Sequence, residues 1–212
     1  RRVMPYDLIV LGGGPAGYKA GERAAKAGLS VLCIEERNLG GVCLNEGCIP
    51  TKTLLYSAKL YENALNAEKY GVQAKELSID HPKVIARKNK VVRTLIAGVR
   101  SALKASGVMI VQGKGVIEGR SRDGYAVRVD EEIYFSKRLL IATGSSAVIP
   151  PIPGLKESLT SGFVVTSREI LDLKERPKSL TVIGGGVIGL ELASYFNSIG
   201  SKVTVVELLD HI

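Results

Sequence analysis

The chain has 212 residues, 45% of them apolar, which is enough for one large domain or two small ones with a buried core. Its 29 basic and 21 acidic residues give a net charge of +8, which raises the question of a polyanionic partner. The sequence shows no signal peptide and no apolar run of membrane-spanning length, so we expect a cytoplasmic protein without a membrane partner.

The first predicted elements form a dinucleotide-binding unit. A buried strand over residues 7–11 leads into the loop GGGPAG (12–17), and an alanine-rich helix then runs to Gly28. A second strand over residues 31–34 ends at Glu35. In such a unit the glycines permit a sharp turn, the approach of a pyrophosphate and close packing of helix on strand. The positions that we expect to bind the cofactor are Gly12, Gly14, Gly17 and Glu35.

Each of these positions has a chemical reason. The phosphates sit at the helix N-terminus, where free N–H groups and the helix dipole favour negative charge. A carboxylate at the end of the second strand can accept hydrogen bonds from the ribose hydroxyls of an adenosine.

Two cysteines follow this unit directly, in the run GGVCLNEGCIPTK (40–52). Cys43 and Cys48 are five positions apart, so a disulfide between them closes a small ring. A thiol pair beside a bound flavin or nicotinamide can convert a hydride into a thiol–disulfide exchange. We therefore interpret the pair as the redox-active disulfide of a flavoprotein oxidoreductase.

A stapling disulfide or half of a metal site is the alternative interpretation. The other candidate metal ligands are Cys33, inside an apolar strand, and the distant His81 and His211, which have no ligand spacing. We therefore expect no metal site.

Two helices are predicted next. The first covers residues 51–70 and starts after Pro50, which suits a first helical turn. The second covers residues 82–105 and alternates cations with apolar residues at helical spacing. No aromatic residues that could stack bases are interleaved, so we interpret the cations as a solvated face and expect no nucleic-acid partner. These cations are Lys83, Arg87, Lys88, Lys90, Arg93, Arg100 and Lys104.

Short β segments and a connector follow. Asp123-Gly124 is a turn signal within them, and the run Ile149-Pro-Pro-Ile-Pro-Gly154 is stiff enough to mark a domain boundary. The predicted strands cover residues 109–111, 115–118, 125–129, 132–135 and 139–142.

The dinucleotide-binding unit then occurs a second time. A strand over residues 180–183 leads to GGGVIG (184–189), a helix runs to Gly200, and a strand over residues 203–206 ends at Glu207. Every landmark is shifted by 172 residues (184 − 12 = 172). The carboxylate of Glu207 would repel a 2′-phosphate, so NAD is favoured over NADP. The second set of expected cofactor-binding positions is Gly184, Gly186, Gly189 and Glu207.

On GGGPAG (12–17), GGVCLNEGCIPTK (40–52), ATG (142–144) and GGGVIGLELA (184–193), the chain resembles the class I pyridine nucleotide–disulfide oxidoreductases. Within that class it is most similar to the dihydrolipoamide dehydrogenases. The resemblance implies an α/β, three-layer Rossmann-like fold that binds FAD and NAD, with a small inserted β-meander. It also implies electron transfer from dihydrolipoamide on a lipoyl domain, within a 2-oxoacid dehydrogenase complex, to NAD.

The resemblance also implies roles for particular residues. Cys43 would exchange with the substrate disulfide, and Cys48 would lie against the flavin as a thiolate. Lys52 would lie beside the flavin, paired with Glu191, since a carboxylate on an apolar helix face is costly unless paired. Three further positions, whose alternative interpretation is ordinary strand-end turns, are implied to meet FAD: Gly115, Thr143 and Gly144.

The implied domains are an FAD-binding domain over residues 1–149 and the first part of an NAD-binding domain over residues 150–212. The family's C-terminal interface domain, through which it forms homodimers, has no counterpart in the sequence, so we expect an N-terminal fragment that is not competent alone. Another class I reductase, of the glutathione or mercuric type, and a non-catalytic nucleotide-binding module are the alternatives.

Overall fold

The computed structural model describes residues 6–122 and 124–212. They form two compact units. Unit 1 holds the described residues up to Asn45 together with Arg93–Ser146, and unit 2 holds Glu46–Val92 together with Ala147–Ile212. The chain therefore passes from unit 1 to unit 2 between Cys43 and Cys48.

Unit 1 is built on a six-stranded sheet with the strand order β3-β2-β1-β6-β5-β4. The strands β3, β2, β1 and β6 are parallel, and β5 and β4 continue the sheet in antiparallel fashion. The mixed α/β architecture confirms the expected fold class. The strands are β1 (Tyr6–Leu11), β2 (Val31–Glu35), β3 (Met109–Gln112), β4 (Val116–Ser121), β5 (Gly124–Val129) and β6 (Glu132–Ile141).

The centre of this sheet explains why the two first strands are continuous apolar runs. Parallel strands covered on both faces bury every side chain. Ile9 and Val10 of β1 and Leu32 and Cys33 of β2 are fully buried. The register sets Val10 opposite Cys33, so both strands end at the same edge of the sheet.

Strand β6 corrects the prediction of two strands over residues 132–135 and 139–142. It is one strand of ten residues. Its first half pairs antiparallel with β5, and its second half pairs parallel with β1. The polar run Ser136-Lys137-Arg138 does not break it, because Ser136 is fully buried and its hydroxyl donates to the Arg138 carbonyl at 2.7 Å. The meander β4–β6 thus joins the main sheet. Asp123 of the predicted turn lies outside the described residues.

Six α-helices accompany the strands in the described part of the chain. The helix predicted over residues 51–70 begins earlier, at Cys48, so Pro50 is its third residue, where no N–H is needed for an intrahelical bond. It ends at Leu65 and is followed by a 3₁₀ helix over Ala67–Tyr70. The helices are α1 (Pro15–Lys26), α2 (Gly41–Glu46), α3 (Cys48–Leu65), α4 (His81–Ala105), α5 (Leu155–Thr160) and α6 (Val187–Ser198).

Helix α4 is the predicted basic helix, and it is amphipathic. Val84 and Leu103 are buried, whereas Lys83 and Arg87 are exposed. Lys88 departs from the prediction of a solvated cation because it is only 2% exposed. Its Nζ donates to Oδ1 of Asp172 at 2.5 Å, in the 3₁₀ helix Glu169–Asp172, which compensates the buried charge.

Unit 2 contains the second repeat. Strands β7 (Ser179–Ile183) and β8 (Lys202–Val206) pair in parallel, with Ile183 opposite Val206. Their helix α6 packs in a core with α3 and α4, which includes Leu54, Ala58, Val84, Leu192, Tyr195 and Phe196. Within residues 6–122 and 124–212, no helix is both long and apolar enough to cross a membrane.

Candidate functional site

The first glycine loop, between β1 and α1, leaves no room for side chains. Gly12 has a φ of +100°, and a Cβ on it would lie 2.1 Å from the carbonyl oxygen of Ala142. A Cβ on Gly17 would lie 1.7 Å from the carbonyl oxygen of Gly12. The Gly12 N–H donates to the Ile34 carbonyl at 2.8 Å, which anchors the loop at the end of β2. Only glycine permits this close approach of backbone segments.

Glu35 fixes the same loop from the end of β2. It is 8% exposed, and its Oε2 accepts a hydrogen bond from the Gly13 N–H at 2.6 Å. Its Oε1 accepts one from the Arg37 N–H at 2.7 Å. Each carboxylate oxygen has a second lone pair, so these bonds leave acceptor capacity for a ribose hydroxyl.

The N-terminus of α1 presents free backbone donors beside this loop. Gly14 is the N-cap, and none of the described side chains caps the helix. Four N–H groups at a helix N-terminus lack intrahelical partners, and together with the dipole they attract anions. The glycine cradle and open helix end fit the pyrophosphate of a dinucleotide such as FAD.

Two glycines that the sequence analysis did not assign to this cradle belong to it. The Gly40 N–H donates to the Gly13 carbonyl at 2.8 Å. A Cβ on Gly41 would lie 2.6 Å from the Cα of Gly14, and both glycines have positive φ angles of +98° and +60°. The pair Gly40-Gly41, which opens the cysteine run, was the sequence signal for this contact.

The other predicted contacts in unit 1 divide into two groups. Thr143 follows β6 beside the first loop, since a Cβ on Gly12 would also approach the Thr143 nitrogen at 3.2 Å. Gly144 is exposed with a φ of +76°. Gly115 instead faces the core: a Cβ on it would lie 2.5 Å from Cδ2 of Leu11. A side chain at position 115 would therefore force the Leu11 side chain to shift.

All three cysteines are in the reduced thiol form. Cys43 lies on α2 and is half-buried, whereas Cys48 is exposed at the first residue of α3. A helix of 18 residues favours an anion at that end, which suits a thiolate. Cys33 is buried, and burial, followed by the charge of Glu35, raises its pKa to about 11.

The structure brings Lys52 and Glu191 together within unit 2. Lys52 Nζ donates to Glu191 Oε1 at 3.1 Å and lies 3.4 Å from Oε2. Lys52 is on α3 one turn after Cys48, and Glu191 is near the start of α6. The predicted pairing partner of the Glu191 carboxylate is thus the one observed.

The second glycine loop repeats the geometry of the first. The Gly184 N–H donates to the Val206 carbonyl at 2.8 Å, and the Gly185 N–H donates to Glu207 Oε2 at 2.6 Å. A Cβ on Gly189 would lie 2.8 Å from the Gly184 carbonyl oxygen. Backbone N–H groups of Leu209, Gly185 and Leu208 lower the pKa of Glu207.

The N-terminus of α6 is open in the same way as that of α1. Gly186 is its N-cap, and in the part of the chain that the structure describes no side chain caps it. Beside it lies an apolar cleft of about 790 Å³ in unit 2, lined by residues that include Val148, Phe163 and Val187. Among the described strands, β7 pairs only with β8.

In the part of the chain that the structure describes, the histidines and acids form no metal site. His211 is exposed, and its ring contacts the neighbouring Asp210 at 2.6 Å. Among residues 6–122 and 124–212 there is no group of three or more His, Cys, Asp or Glu side chains that could hold a metal ion.

Comparison with known proteins gives curated relatives that are dihydrolipoyl dehydrogenases. The one from Acholeplasma laidlawii is 48% identical over 208 residues, which are 98% of this chain and 61% of that protein. The one from Mycoplasma genitalium is 40% identical over 99% of this chain and 45% of its own length. The one from Bacillus subtilis is 40% identical over 98% of this chain and 45% of its own length. The chain thus spans about half the length of these relatives.

Solved structures with the same fold include those of the HOCl-induced flavoprotein disulfide reductase RclA from Escherichia coli. One aligns with a TM-score of 0.78 and 32% identity, over 97% of this chain and 43% of that chain. Its Cu(II) complex aligns with a TM-score of 0.80 and 34% identity, over 96% of this chain and 42% of that chain.

The family described as pyridine nucleotide-disulphide oxidoreductase matches residues 6–212, which is nearly the whole chain. The chain therefore belongs to the pyridine nucleotide–disulphide oxidoreductase family.

Proposed function

We propose that this chain carries the FAD-binding and redox-thiol part, and the start of the NAD-binding part, of an NAD-dependent dihydrolipoamide dehydrogenase. The observation that carries the proposal is the repeated cradle. Gly13 and Gly185 each donate to a glutamate at 2.6 Å, so one chain offers two dinucleotide sites. Two accessible thiols lie between them in sequence.

In this proposal the first cradle holds FAD. The N-terminus of α1 receives the pyrophosphate, Glu35 receives the adenosine ribose, and Gly40-Gly41 close the cradle from the side. When bound, FAD supplies a two-electron carrier between the thiols and the nicotinamide. The second cradle holds NAD, with Glu207 accepting from both ribose hydroxyls and disfavouring a 2′-phosphate.

The thiols perform the exchange with the substrate. A thiolate of dihydrolipoamide attacks Cys43 of the oxidised pair, and the Cys43–Cys48 bond breaks. The second substrate thiol displaces Cys43, which yields lipoamide with its disulfide and leaves two thiols on the protein. Cys48, at the helix end that favours an anion, then passes the electron pair toward FAD. Lys52, held by Glu191, orients its charge at the flavin, by the family resemblance.

The partners follow from the same proposal. Dihydrolipoamide would arrive on a lipoyl domain of a 2-oxoacid dehydrogenase complex, the longer protein would be a homodimer, and the location would be cytoplasmic. The relatives support these statements only through their names as dihydrolipoyl dehydrogenases.

A second candidate is a class I reductase that acts on another disulfide. The structural likeness to RclA, a flavoprotein disulfide reductase, favours it. Glu207 argues against a glutathione reductase that uses NADP. A non-catalytic nucleotide-binding module is the third candidate. In that case Cys43 and Cys48 would take no part in electron transfer.

A single-turnover thiol count tests the proposal. The full-length protein, oxidised and loaded with FAD, is given one equivalent of NADH without oxygen, and its thiols are counted under native conditions. NADH and one proton reduce one disulfide to two thiols, so we expect two new thiols per FAD. The variants Cys43→Ser and Cys48→Ser should each give none. Flavin-loaded wild type that gains no thiols would favour the non-catalytic module. Comparison of lipoamide with glutathione disulfide as oxidant separates the first two candidates.

A further inference from the structure

The ion pair between Lys52 and Glu191 is too weak to fix its own geometry. The Lys52 side chain is 62% exposed and that of Glu191 is 32% exposed. An exposed ion pair contributes little to stability, and two long side chains lose rotamer freedom when they form it. The geometry of this pair must therefore come from whatever fixes helix α6 relative to α3.

Tyr195 is the buried polar group on the same face of α6. It lies four residues after Glu191, so the two side chains point to the same side of the helix. Its relative exposure is 0%, and its ring packs edge-on against Phe196 with 5.0 Å between centroids. Its hydroxyl lies 2.8 Å from Nδ1 of His81, the first residue of α4.

The directions of these hydrogen bonds follow from the third partner. His81 Nε2 lies 2.9 Å from the carbonyl oxygen of Leu173, and a carbonyl can only accept. Nε2 therefore carries the proton and donates to Leu173, which leaves Nδ1 of the neutral ring as an acceptor. The Tyr195 hydroxyl donates to Nδ1. One continuous chain of hydrogen bonds thus joins α6, α4 and the segment after the 3₁₀ helix Glu169–Asp172.

We infer that Tyr195 and His81 are positioning residues, whose buried hydrogen bond fixes the rotation of α6 and so keeps the Glu191 carboxylate on Lys52. The inference rests on the proposed function only for the role of the pair at the flavin. The bond from Ser198 Oγ to Glu62 Oε1 at 2.5 Å, which joins α6 directly to α3, is exposed. Water can replace that bond, whereas a buried partner that is lost leaves an unsatisfied group.

Protonation of His81 would break the chain at a defined point. A second proton on Nδ1 makes it a donor, and the buried Tyr195 O–H then loses its acceptor. Burial lowers the pKa of His81, opposed by its bond to Leu173 and aided by the charge of Arg176. Other charged groups lie on the elements packed around His81, and they include Asp80, Lys83, Arg87, Lys88, Asp172, Lys174, Glu175, Glu191 and Glu62.

Acylation of lysines tests the inference without any cofactor. The flavin-free chain is treated at pH 8 with an amine-reactive acetylating reagent, and the rate at Lys52 is divided by the rate at the exposed Lys59 of the same helix. We expect Glu191→Gln and Tyr195→Phe each to raise this ratio about two- to fivefold, the range that an exposed ion pair of up to ~1 kcal/mol gives. The control Ser198→Ala should leave the ratio unchanged.

The contradicting results are equally specific. A ratio that rises in Glu191→Gln but stays at the wild-type value in a folded Tyr195→Phe would overturn the positioning role. A ratio unchanged in Glu191→Gln would overturn it too, since the contact would then not be held. If Tyr195→Phe does not fold, the double variant His81→Leu with Tyr195→Phe replaces both partners by apolar groups, which is close to neutral for stability. In that double variant, a Lys52 to Lys59 rate ratio that stays at the wild-type value would likewise overturn the positioning role.

Flavin reduction by NADH separates this inference from the proposed function. In the FAD-loaded full-length protein, Tyr195→Phe should lower the limiting rate constant per bound flavin about two- to fivefold and leave the NADH concentration for half-maximal rate unchanged. A merely structural role would lower only the fraction of flavin bound. Acylation effects in a full-length protein that binds no flavin would support the positioning and contradict the proposed function. If Glu191→Gln slows flavin reduction but Tyr195→Phe does not, the positioning role of Tyr195 would be overturned.

Discussion

Gly17 lies so close to Gly12 that a Cβ on Gly17 would stand 1.7 Å from the Gly12 carbonyl oxygen and 3.1 Å from Cγ1 of Val10. The first turn of α1 therefore rests directly on the loop that follows β1. This contact brings the helix N-terminus to the point where the dinucleotide cradle opens.

The substitution Gly17→Ala should disrupt this contact. Because the obstacle is backbone rather than a flexible side chain, the helix must move, and overpacking of this kind costs about 1–3 kcal/mol or more. We expect a lower urea midpoint and weaker FAD binding, measured by chemical unfolding and flavin fluorescence. The matched control is Gly21→Ala on the same helix, whose nearest neighbour is Val31 Cγ1 at 3.7 Å. It should gain up to about 1 kcal/mol from helix propensity. Equal effects of the two variants would contradict the structure.

Replacement of the Glu191 carboxylate should slow hydride transfer. Glu191→Gln keeps the size of the side chain but removes the charge that holds Lys52 at 3.1 Å. We expect flavin reduction by NADH, followed by stopped-flow absorbance, to be slower by about tenfold, or ~1.4 kcal/mol. Glu62→Gln, which removes the other carboxylate between α3 and α6, should leave the rate unchanged. An unchanged rate in Glu191→Gln would remove this residue from the mechanism.

Cys33 should stay unmodified while Cys43 and Cys48 react. Burial raises the pKa of the Cys33 thiol to about 11, so almost none of it is thiolate at pH 8. Timed alkylation of the native chain, analysed by peptide mass spectrometry, should modify exposed Cys48 before half-buried Cys43 and leave Cys33 untouched until urea is added. Modification of Cys33 at the rate of Cys48 in the native chain would show that β2 is not buried.

The stability of unit 2 should fall with acidification below pH 6.5. Because burial lowers the pKa of His81 below its ordinary value of 6.5, the unfolded chain binds a proton in a range where the folded chain does not. The free energy of unfolding is thus highest above pH 6.5 and decreases toward pH 5.5, with a limiting slope of about 1.4 kcal/mol per pH unit. Urea unfolding at several pH values measures it.

Only two histidines occur in the chain, so the control for this titration is clear. His211→Gln should retain the pH dependence because His211 is exposed. His81→Gln should flatten it. A dependence that disappears in His211→Gln and persists in His81→Gln would contradict the assignment.

The repeat was predictable from the sequence because its geometry is local. Spacing alone identified the positions of Gly12 and Gly184, and both donate to the end of the neighbouring strand at 2.8 Å. The glutamates that close the loops follow from the same register. The fold of each repeat depends on short-range properties, which are its apolar strands, its glycine positions and the start of its helix.

The features that the sequence analysis missed depend on distant contacts. The single strand β6 exists because β1 and β5 pair with its two halves. Lys88 is buried because Asp172 lies beside it, 84 residues later. The bond between His81 and Tyr195 joins residues 114 positions apart. Periodicity within one segment does not indicate which distant residues will pair. The hydrogen bond between His81 and Tyr195 could therefore not be predicted from the sequence.

The most direct test of the proposed redox site is the visible spectrum of the chain incubated with FAD, before and after anaerobic addition of a dithiol. We predict one bound FAD per chain and a new long-wavelength absorbance band on reduction, which Cys48→Ser abolishes. Bound FAD with no such band, or a band that persists in Cys48→Ser, would contradict the assignment of Cys48 as the thiolate at the flavin.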